Sequence, residues 1–436
     1  MAGGPGRPDR PDARGEPIAD APGADEARTR LVDELRDSGR LTSRSVEAAF
    51  RAVPRHVFLP EIDPASQAYQ DEAFVIKTDE GGLPVSSSSQ PAIMAIMLEQ
   101  LGVAEGQRVL EIGTGTGYNA ALMTHLVGPG GSVVTVDIDP DLANRARANL
   151  VAAGYPDVIV ICGDGGFGAR EFAPYDRIIV TAGASDLAPE WLAQLGPGGR
   201  IALPLGLRGI QLCIALERSG GLGWRSRAAC RCGFIRMAGS YAGTEPYLTV
   251  GPQPGLHVQT DRDDQPMDAD LLWSALNGRV TDVLTGVRVA GLGELGEADL
   301  WVTIMEPGLA RLTITGGGAL RGSVLPLLPF GVLAASAAEG LGVAGLLPAT
   351  AMASSAGEHR FGDFEIAVRG FGPSGALLAE RLAGRVAAWR SSGRPPRRRP
   401  RRDRLPSHPA AAQLGRRIAR SRCRGRSRAP RHARLG

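Results

Sequence analysis

The sequence predicts an α/β protein: a doubly wound, mostly parallel sheet followed by a C-terminal α+β accessory domain. Three observations predict it. Between Gln107 and Glu217 short β-type runs alternate with helix-like segments. The runs are apolar nearly throughout, as strands covered on both faces are. A glycine-rich turn, GTGTG, joins the first run to the first helix of this stretch, and there the missing Cβ atoms let a ligand approach the backbone.

Residues 1–25 are rich in Gly, Pro, Asp and Arg and are expected to be disordered, since they bury too little apolar surface to offset chain entropy. From Glu26 the pattern turns helical. Leu31, Val32, Leu35 and then Leu41, Val46, Ala49 and Phe50 recur mostly three or four residues apart. Thr42 or Ser43 is placed to cap the second helix and Val53-Pro54 to close it. His56 reads as a structural histidine at an interface rather than an acid/base. The stretch GLPVSSSSQP, taken alone, reads as a serine-rich spacer, and AIMAIMLEQL after it reads as a helix.

The strand-like runs are RVLEIG, SVVTVDI, DVIVIC, DRIIVTA, RIALPLG and QLCIALE. Helix-like segments such as GYNAALMTHLVG, DPDLANRARANLVAAG and DLAPEWLAQLGPGG separate several of them. One more strand is expected within Trp224 to Met237, so the first domain is expected to span residues 26–243. The accessory domain is expected over 244–394, with strand-like ADLWVTIM and FEIAVRG and helix-like SGALLAERLAGRVAAW. Residues 395–436 are expected to be a disordered Arg-rich tail.

That tail carries fifteen Arg against one Asp, whereas the whole chain is only +3, so the remainder is net acidic. The basic pI of about 8.7 therefore reports the tail and not a nucleic-acid-binding surface. No aromatic residues interleave with its arginines, as stacking on bases would require, and out-of-frame translation would give the same Arg/Pro/Ala bias. No nucleic-acid partner is expected. Cys162, Cys213, Cys230, Cys232 and Cys423 form no metal-spaced quartet. No metal site is expected, and no signal peptide is visible, so they read as reduced thiols of a cytoplasmic protein. SVLPLLPFGVLAASAAEGLGVAGLL is interrupted by Pro326, Pro329 and Glu339, which favours a buried core element over a membrane span.

The residues with the most chemistry lie in VLEIGTGTGYNAALM. Gly113, Gly115 and Gly117 stand between a buried strand and a helix N-terminus with free N–H groups. The spacing is GxGxG rather than the GxGxxG of a dinucleotide site, and Glu111 stands two residues before it. A carboxylate there repels a pyrophosphate but meets an ammonium group, which favours S-adenosylmethionine over a nicotinamide dinucleotide. Asp137, at the end of the next strand, is placed to accept from ribose hydroxyls. In CGDGGFG, Asp164 is placed to accept from an adenine amino group while Gly165 permits close approach. Thr114, Tyr118 and Ile138 flank these positions and complete the expected cofactor set. Glycine turns also serve packing, and lone acids cap helices; agreement at three sites argues for the ligand.

These motifs, with APYDRIIVTAGA, QLGPGGRIALPLG, VEAAFRAVPRHVFLP and SSQP, resemble in order those of protein-L-isoaspartate O-methyltransferases. The resemblance covers about residues 28–240. It implies a class I, Rossmann-like methyltransferase fold, S-adenosylmethionine, and a peptide or protein substrate carrying Asp or isoAsp. It also implies that Ser89, at the serine of the family's ISQP motif, acts as the catalytic serine, with Ser87, Ser88 and Gln90 near the substrate; Ser86 reads as linker. KTDEGGLPVSSSSQP, where the family has a shorter Thr-Ile-Ser segment, and the region after 243 resemble the FxLD-type branch. That branch implies methylation of Asp in a modified precursor peptide. A small-molecule acceptor is the alternative. A carboxylate is already ionised at neutral pH, so the reaction asks for alignment rather than a base. The ester then collapses to a succinimide that yields Asp or isoAsp.

Overall fold

The structure is a computed structural model that describes residues 21–392 except 208, 220–222, 244–246, 253–255, 260–267, 307–308, 315–331, 338–339 and 349–363. Most of the N-terminal segment and the Arg-rich tail expected to be disordered lie outside the described residues. The chain divides into two compact units. The first holds residues up to 204 with 213–218 and 232–242; the second holds 205–212, 219–231 and the chain from 243.

The first unit opens with α1 (Ala24–Asp37) and α2 (Arg44–Ala52). α1 starts inside the segment expected to be disordered, because Gly23 in a left-handed conformation begins the helix and Leu31, Val32 and Leu35 are buried. The Ser43 hydroxyl caps α2 by accepting from Val46 N–H at 3.3 Å, and Val53 ends it before Pro54. Next come β1 (Phe74–Thr78) and β2 (Pro84–Ser88), an antiparallel hairpin that pairs Phe74 with Ser88, Val75 with Ser87 and Lys77 with Ser86. The serine run is therefore mostly strand, and Ser86 is not linker. Its sequence hides this, since a strand reads as alternation only when one face is buried. The Asp79 carboxylate turns the hairpin by accepting from Gly81 and Leu83 N–H groups at 2.9 and 2.8 Å.

The sheet follows through α3 (Pro91–Leu101), β3 (Arg108–Ile112), α4 (Tyr118–Val127), β4 (Ser132–Asp137), α5 (Pro140–Ala152), β5 (Ile159–Cys162), β6 (Tyr175–Val180), α6 (Pro189–Gln194), β7 (Leu195–Leu207), β8 (Ile210–Ser219) and β9 (Gly223–Cys232). Its order is β5-β4-β3-β6-β7-β8-β9, and the pairs from β5 to β7 are parallel. The apolar runs account for it: Val109, Leu110, Val133, Val134, Ile178 and Ile179 are all buried. From β3 the chain moves outward to β5, then returns to lay β6 on the other side of β3. Such a reversal opens a crevice at the carboxyl ends of the strands. β9 stops at Cys232 rather than near Met237, because the following residues turn to bond with Gly183: Gly183 N–H donates to Ile235 O and Met237 N–H to Gly183 O, at 2.8 and 3.0 Å.

Besides the end of β7, the start and last residue of β8 and nearly all of β9, the second unit contains β10 (Tyr247–Thr249), β11 (Leu256–Gln259), α7 (Ala269–Leu276), β12 (Val280–Val289), α8 (Leu292–Met305), β13 (Leu309–Ile314), β14 (Val332–Ala337), β15 (Gly340–Pro348), β16 (Phe364–Phe371) and α9 (Gly375–Ser391). Its antiparallel sheet runs β10-β11-β13-β14-β15-β16-β12. FEIAVRG and SGALLAERLAGRVAAW form the expected strand and helix, but ADLWVTIM is helical. Buried Leu295, Ala298 and Val302 recur at helical spacing, a period lost when the eight-residue run is read alone. Within α8 the buried Asp299 meets Arg231 and, at 3.1 Å, Arg311. The described part of the long apolar stretch forms β14 and β15, and among the described residues no helix is long and apolar enough to cross a membrane.

Candidate functional site

A cavity of about 360 Å³ opens at the carboxyl ends of β3, β4 and β6, walled by β2 and by the segment after β9. The glycine loop forms its floor. Gly113 has φ +97°, and a Cβ there would lie 2.6 Å from Thr181 Oγ1. That hydroxyl donates to Gly113 O at 2.6 Å, locking the loop to the end of β6. Gly115 has φ +54°, and its added Cβ would meet only Ser87 O, at 3.8 Å, so backbone lies open to a ligand. Gly117 differs. Its Cβ would press on Leu150 and Ala146 at 3.2 and 3.3 Å, so it serves the packing of α4 on α5 and stands outside the lining.

Glu111 is fully buried at the end of β3. Asn119 Nδ2 donates to its Oε1 at 2.8 Å and Thr135 Oγ1 to its Oε2 at 2.7 Å. Thr114 in turn lies 2.7 Å from the Thr135 hydroxyl. Loss of solvent pushes the Glu111 carboxyl up to about 7, a rise that the two donors oppose and the neighbouring Asp137 charge reinforces. Asp137, at the end of β4, accepts from Gly115 N–H at 2.9 Å and Asp139 N–H at 3.1 Å. Burial raises its carboxyl despite these bonds. Both oxygens retain lone pairs for a ligand.

Thr114, Tyr118, Ile138 and Gly165 line the cavity with Ser86, Ser87, Ser88 and Ser89. Tyr118 is nevertheless packed tightly, its ring 6.3 Å from Phe50 and 5.6 Å from Phe58. Besides Gly117, two more expected site residues lie outside the lining. Gln90 is the N-cap residue just before α3, and its Nε2 donates to Asp71 O at 2.9 Å. Asp164 spends its carboxylate on Gly166 and Ser240 N–H groups at 2.8 and 2.7 Å. Desolvation alone would raise this carboxyl, but the bonds from Ser240 and Gly166 hold it below the usual value. His56 is also outside, with Nδ1 2.9 Å from the Tyr69 hydroxyl.

Sequence reasoning did not single out Asn119, Thr135, Thr181, Arg55 or the Phe234–Ala238 wall. Asn119 carried a faint signal: an Asn in the first turn of an otherwise apolar helix has poor propensity. Its Oδ1 is buried with no partner among the described residues, and Asn119 lines the cavity. Together with Glu111, Asp137 and Asp139 in the lining, it suits a ligand bearing an ammonium group and hydroxyls, and it opposes a pyrophosphate. The residues thus fit S-adenosylmethionine. Met94, Met97, Phe234 and Met237 add apolar wall.

The sequence model of the family described as protein-L-isoaspartate(D-aspartate) O-methyltransferase matches residues 26–240. Protein-L-isoaspartate O-methyltransferase 2 of Archaeoglobus fulgidus is 42% identical over 222 residues, which cover 50% of this chain and 95% of the relative. The protein-L-isoaspartate O-methyltransferase of Methanopyrus kandleri is 41% identical over 221 residues, with 50% and 95% covered. A solved protein-L-isoaspartate O-methyltransferase aligns with TM-score 0.47 and 24% identity, over 84% of this chain and 92% of its own.

Proposed function

The chain belongs to the protein-L-isoaspartate(D-aspartate) O-methyltransferase family, and from that premise we propose that its cavity aligns S-adenosylmethionine with a free carboxylate of an aspartyl or isoaspartyl residue. It is an S-adenosylmethionine-dependent carboxyl O-methyltransferase acting on a peptide or protein. The observation that carries the reading is the pair of acids, Glu111 and Asp137, at adjacent strand ends around a glycine loop whose Gly115 has no close neighbour on its Cβ side.

S-adenosylmethionine supplies an electrophilic methyl group on sulfonium. Glu111 and the Asn119 Oδ1 acceptor would receive its ammonium group, Asp137 its ribose hydroxyls, and the backbone at Gly165 its base. Ser87 and Ser89 would donate hydroxyl hydrogen bonds to the acceptor carboxylate, fixing its direction without changing its charge. The apolar wall limits water, so the carboxylate meets the methyl group partly desolvated and already aligned. No side chain is asked to remove a proton, because the acceptor is ionised near neutral pH.

The substrate class within this activity is a modified precursor peptide. Two features support it: the β1–β2 hairpin, which exposes Val75, Leu83 and Val85, and the second unit, which lies mostly beyond the family match. We place the protein in the cytoplasm, where the described cysteines, none in a disulfide, would stay reduced. A small-molecule acceptor is not favoured. The deciding assay supplies labelled methyl donor with an Asp-Gly peptide, an isoAsp-Gly peptide and a modified precursor peptide encoded beside the gene. Label on the precursor above both short peptides is expected. Equal labelling of all three removes the precursor preference, and label on none removes the proposed carboxyl transfer.

A further inference from the structure

Arg55 follows α2 and is wholly buried. Among the described residues its four polar contacts are all to neutral oxygens. Nη1 donates to Gln70 O at 3.2 Å, and Nη2 reaches Glu72 O at 3.2 Å, Ser89 O at 2.9 Å and Ser88 Oγ at 3.5 Å. Nε is buried with no partner among the described residues. The guanidinium also lies 5.4 Å from the Phe74 ring centroid and 5.8 Å from that of Tyr118.

These partners share one place in the fold. Gln70 and Glu72 lie on the chain entering β1, and Ser88 and Ser89 on the chain leaving β2, so the fork grips both legs of the hairpin at its base. Tyr118 begins α4 directly after the glycine loop. Burying a cation among neutral groups costs stability, and that cost here lowers the guanidinium to about 10, with Tyr118 and the Asp71 carboxylate offsetting only part of it. An apolar side chain would fill the same space without that cost. What it could not do is bond carbonyls from two chain segments at once, which a rigid planar fork does.

We propose that Arg55 is a positioning residue for methyl transfer, clamping the base of the β1–β2 hairpin so that Ser87 and Ser89 hold a fixed place against the glycine loop. The inference rests on the reading that these serines face the acceptor carboxylate. Lysine keeps the charge but not the fork, so Arg55→Lys isolates the geometry.

Two readouts test it. Amide hydrogen exchange needs no substrate: in Arg55→Lys, exchange across residues 84–90 is expected to rise about tenfold or more, a local opening, while α4 and β3 keep their protection. Unchanged exchange over 84–90, or a uniform rise across the first unit, overturns the clamp. Turnover of the folded variant is expected to fall about tenfold to a hundredfold, the range a small misplacement costs, with S-adenosylhomocysteine affinity unchanged. Introduced into Ser89→Ala, Arg55→Lys should cost less than about threefold, since the residue it positions is gone. An equal cost in both backgrounds overturns the proposal. A wild type that methylates no peptide sinks the proposed function instead, and the exchange experiment still decides the clamp.

Discussion

The side-chain amide of Asn119 donates to Glu111 Oε1 at 2.8 Å, binding the first turn of α4 to the end of β3 beneath the glycine loop. This places a carboxyl with a tunable charge in the cavity wall, and its titration is measurable.

Glu111 holds its proton more tightly folded than unfolded, so stability falls as pH rises from its ordinary 4.5 to about 7 and levels above. An ammonium ligand prefers the ionised form. S-adenosylhomocysteine should therefore bind more tightly from pH 6 to 8, with proton release near pH 7. Calorimetry in buffers of different ionisation enthalpy checks this. Glu111→Gln should bind weakly at every pH and lose the slope; a persisting slope assigns the proton elsewhere.

Asp137 holds the Gly115 N–H and faces the cavity. Asp137→Ala should weaken S-adenosylhomocysteine binding by about 2 kcal/mol, the scale of lost hydrogen bonds to a charged group. Asp137→Asn should lose less, because one oxygen acceptor remains. Titration calorimetry giving wild-type affinity for the alanine variant would mean that the ribose lies elsewhere.

Gly113→Ala combines a left-handed backbone with a Cβ 2.6 Å from Thr181 Oγ1. The strain alone is about 1–3 kcal/mol. The expected outcome is a lower melting temperature and loss of donor-analogue binding, read in one thermal-shift experiment with and without S-adenosylhomocysteine. Gly106→Ala, also at positive φ but with nothing within 4 Å of the added Cβ, controls for backbone strain and should retain binding.

Ser89→Ala should lower kcat about tenfold or more with donor affinity intact, as loss of an aligning hydrogen bond predicts. Ser87→Ala should raise KM for the peptide more than it lowers kcat. Steady-state kinetics at saturating donor separates the two. Normal turnover by Ser89→Ala would return the serine run to a scaffolding role.

The parallel sheet was legible because RVLEIG, SVVTVDI and DRIIVTA are apolar on both faces, and Glu111 and Asp137 because their strand ends are marked by glycine and charge. The hairpin was not, since PVSSS buries only Ser88, a polar residue, and shows no apolar alternation. Arg55 was opaque for another reason: an Arg beside His56 reads as surface, and nothing local announces that three distant carbonyls close around it. Asp164 and Gln90 stand in motif positions, but Ser240 and Asp71, remote in sequence, claim their polar atoms.

The division of the chain has a practical consequence. It passes from one unit to the other five times, near residues 205, 213, 219, 232 and 243. No single cut separates them, so neither unit can be exchanged as a cassette. A truncation after 243 leaves two segments of the second unit, 205–212 and 219–231, without the rest of their fold. Chimeras with shorter relatives will need to replace β7, β8 and β9 together, so the unit of engineering is larger than the unit of chemistry.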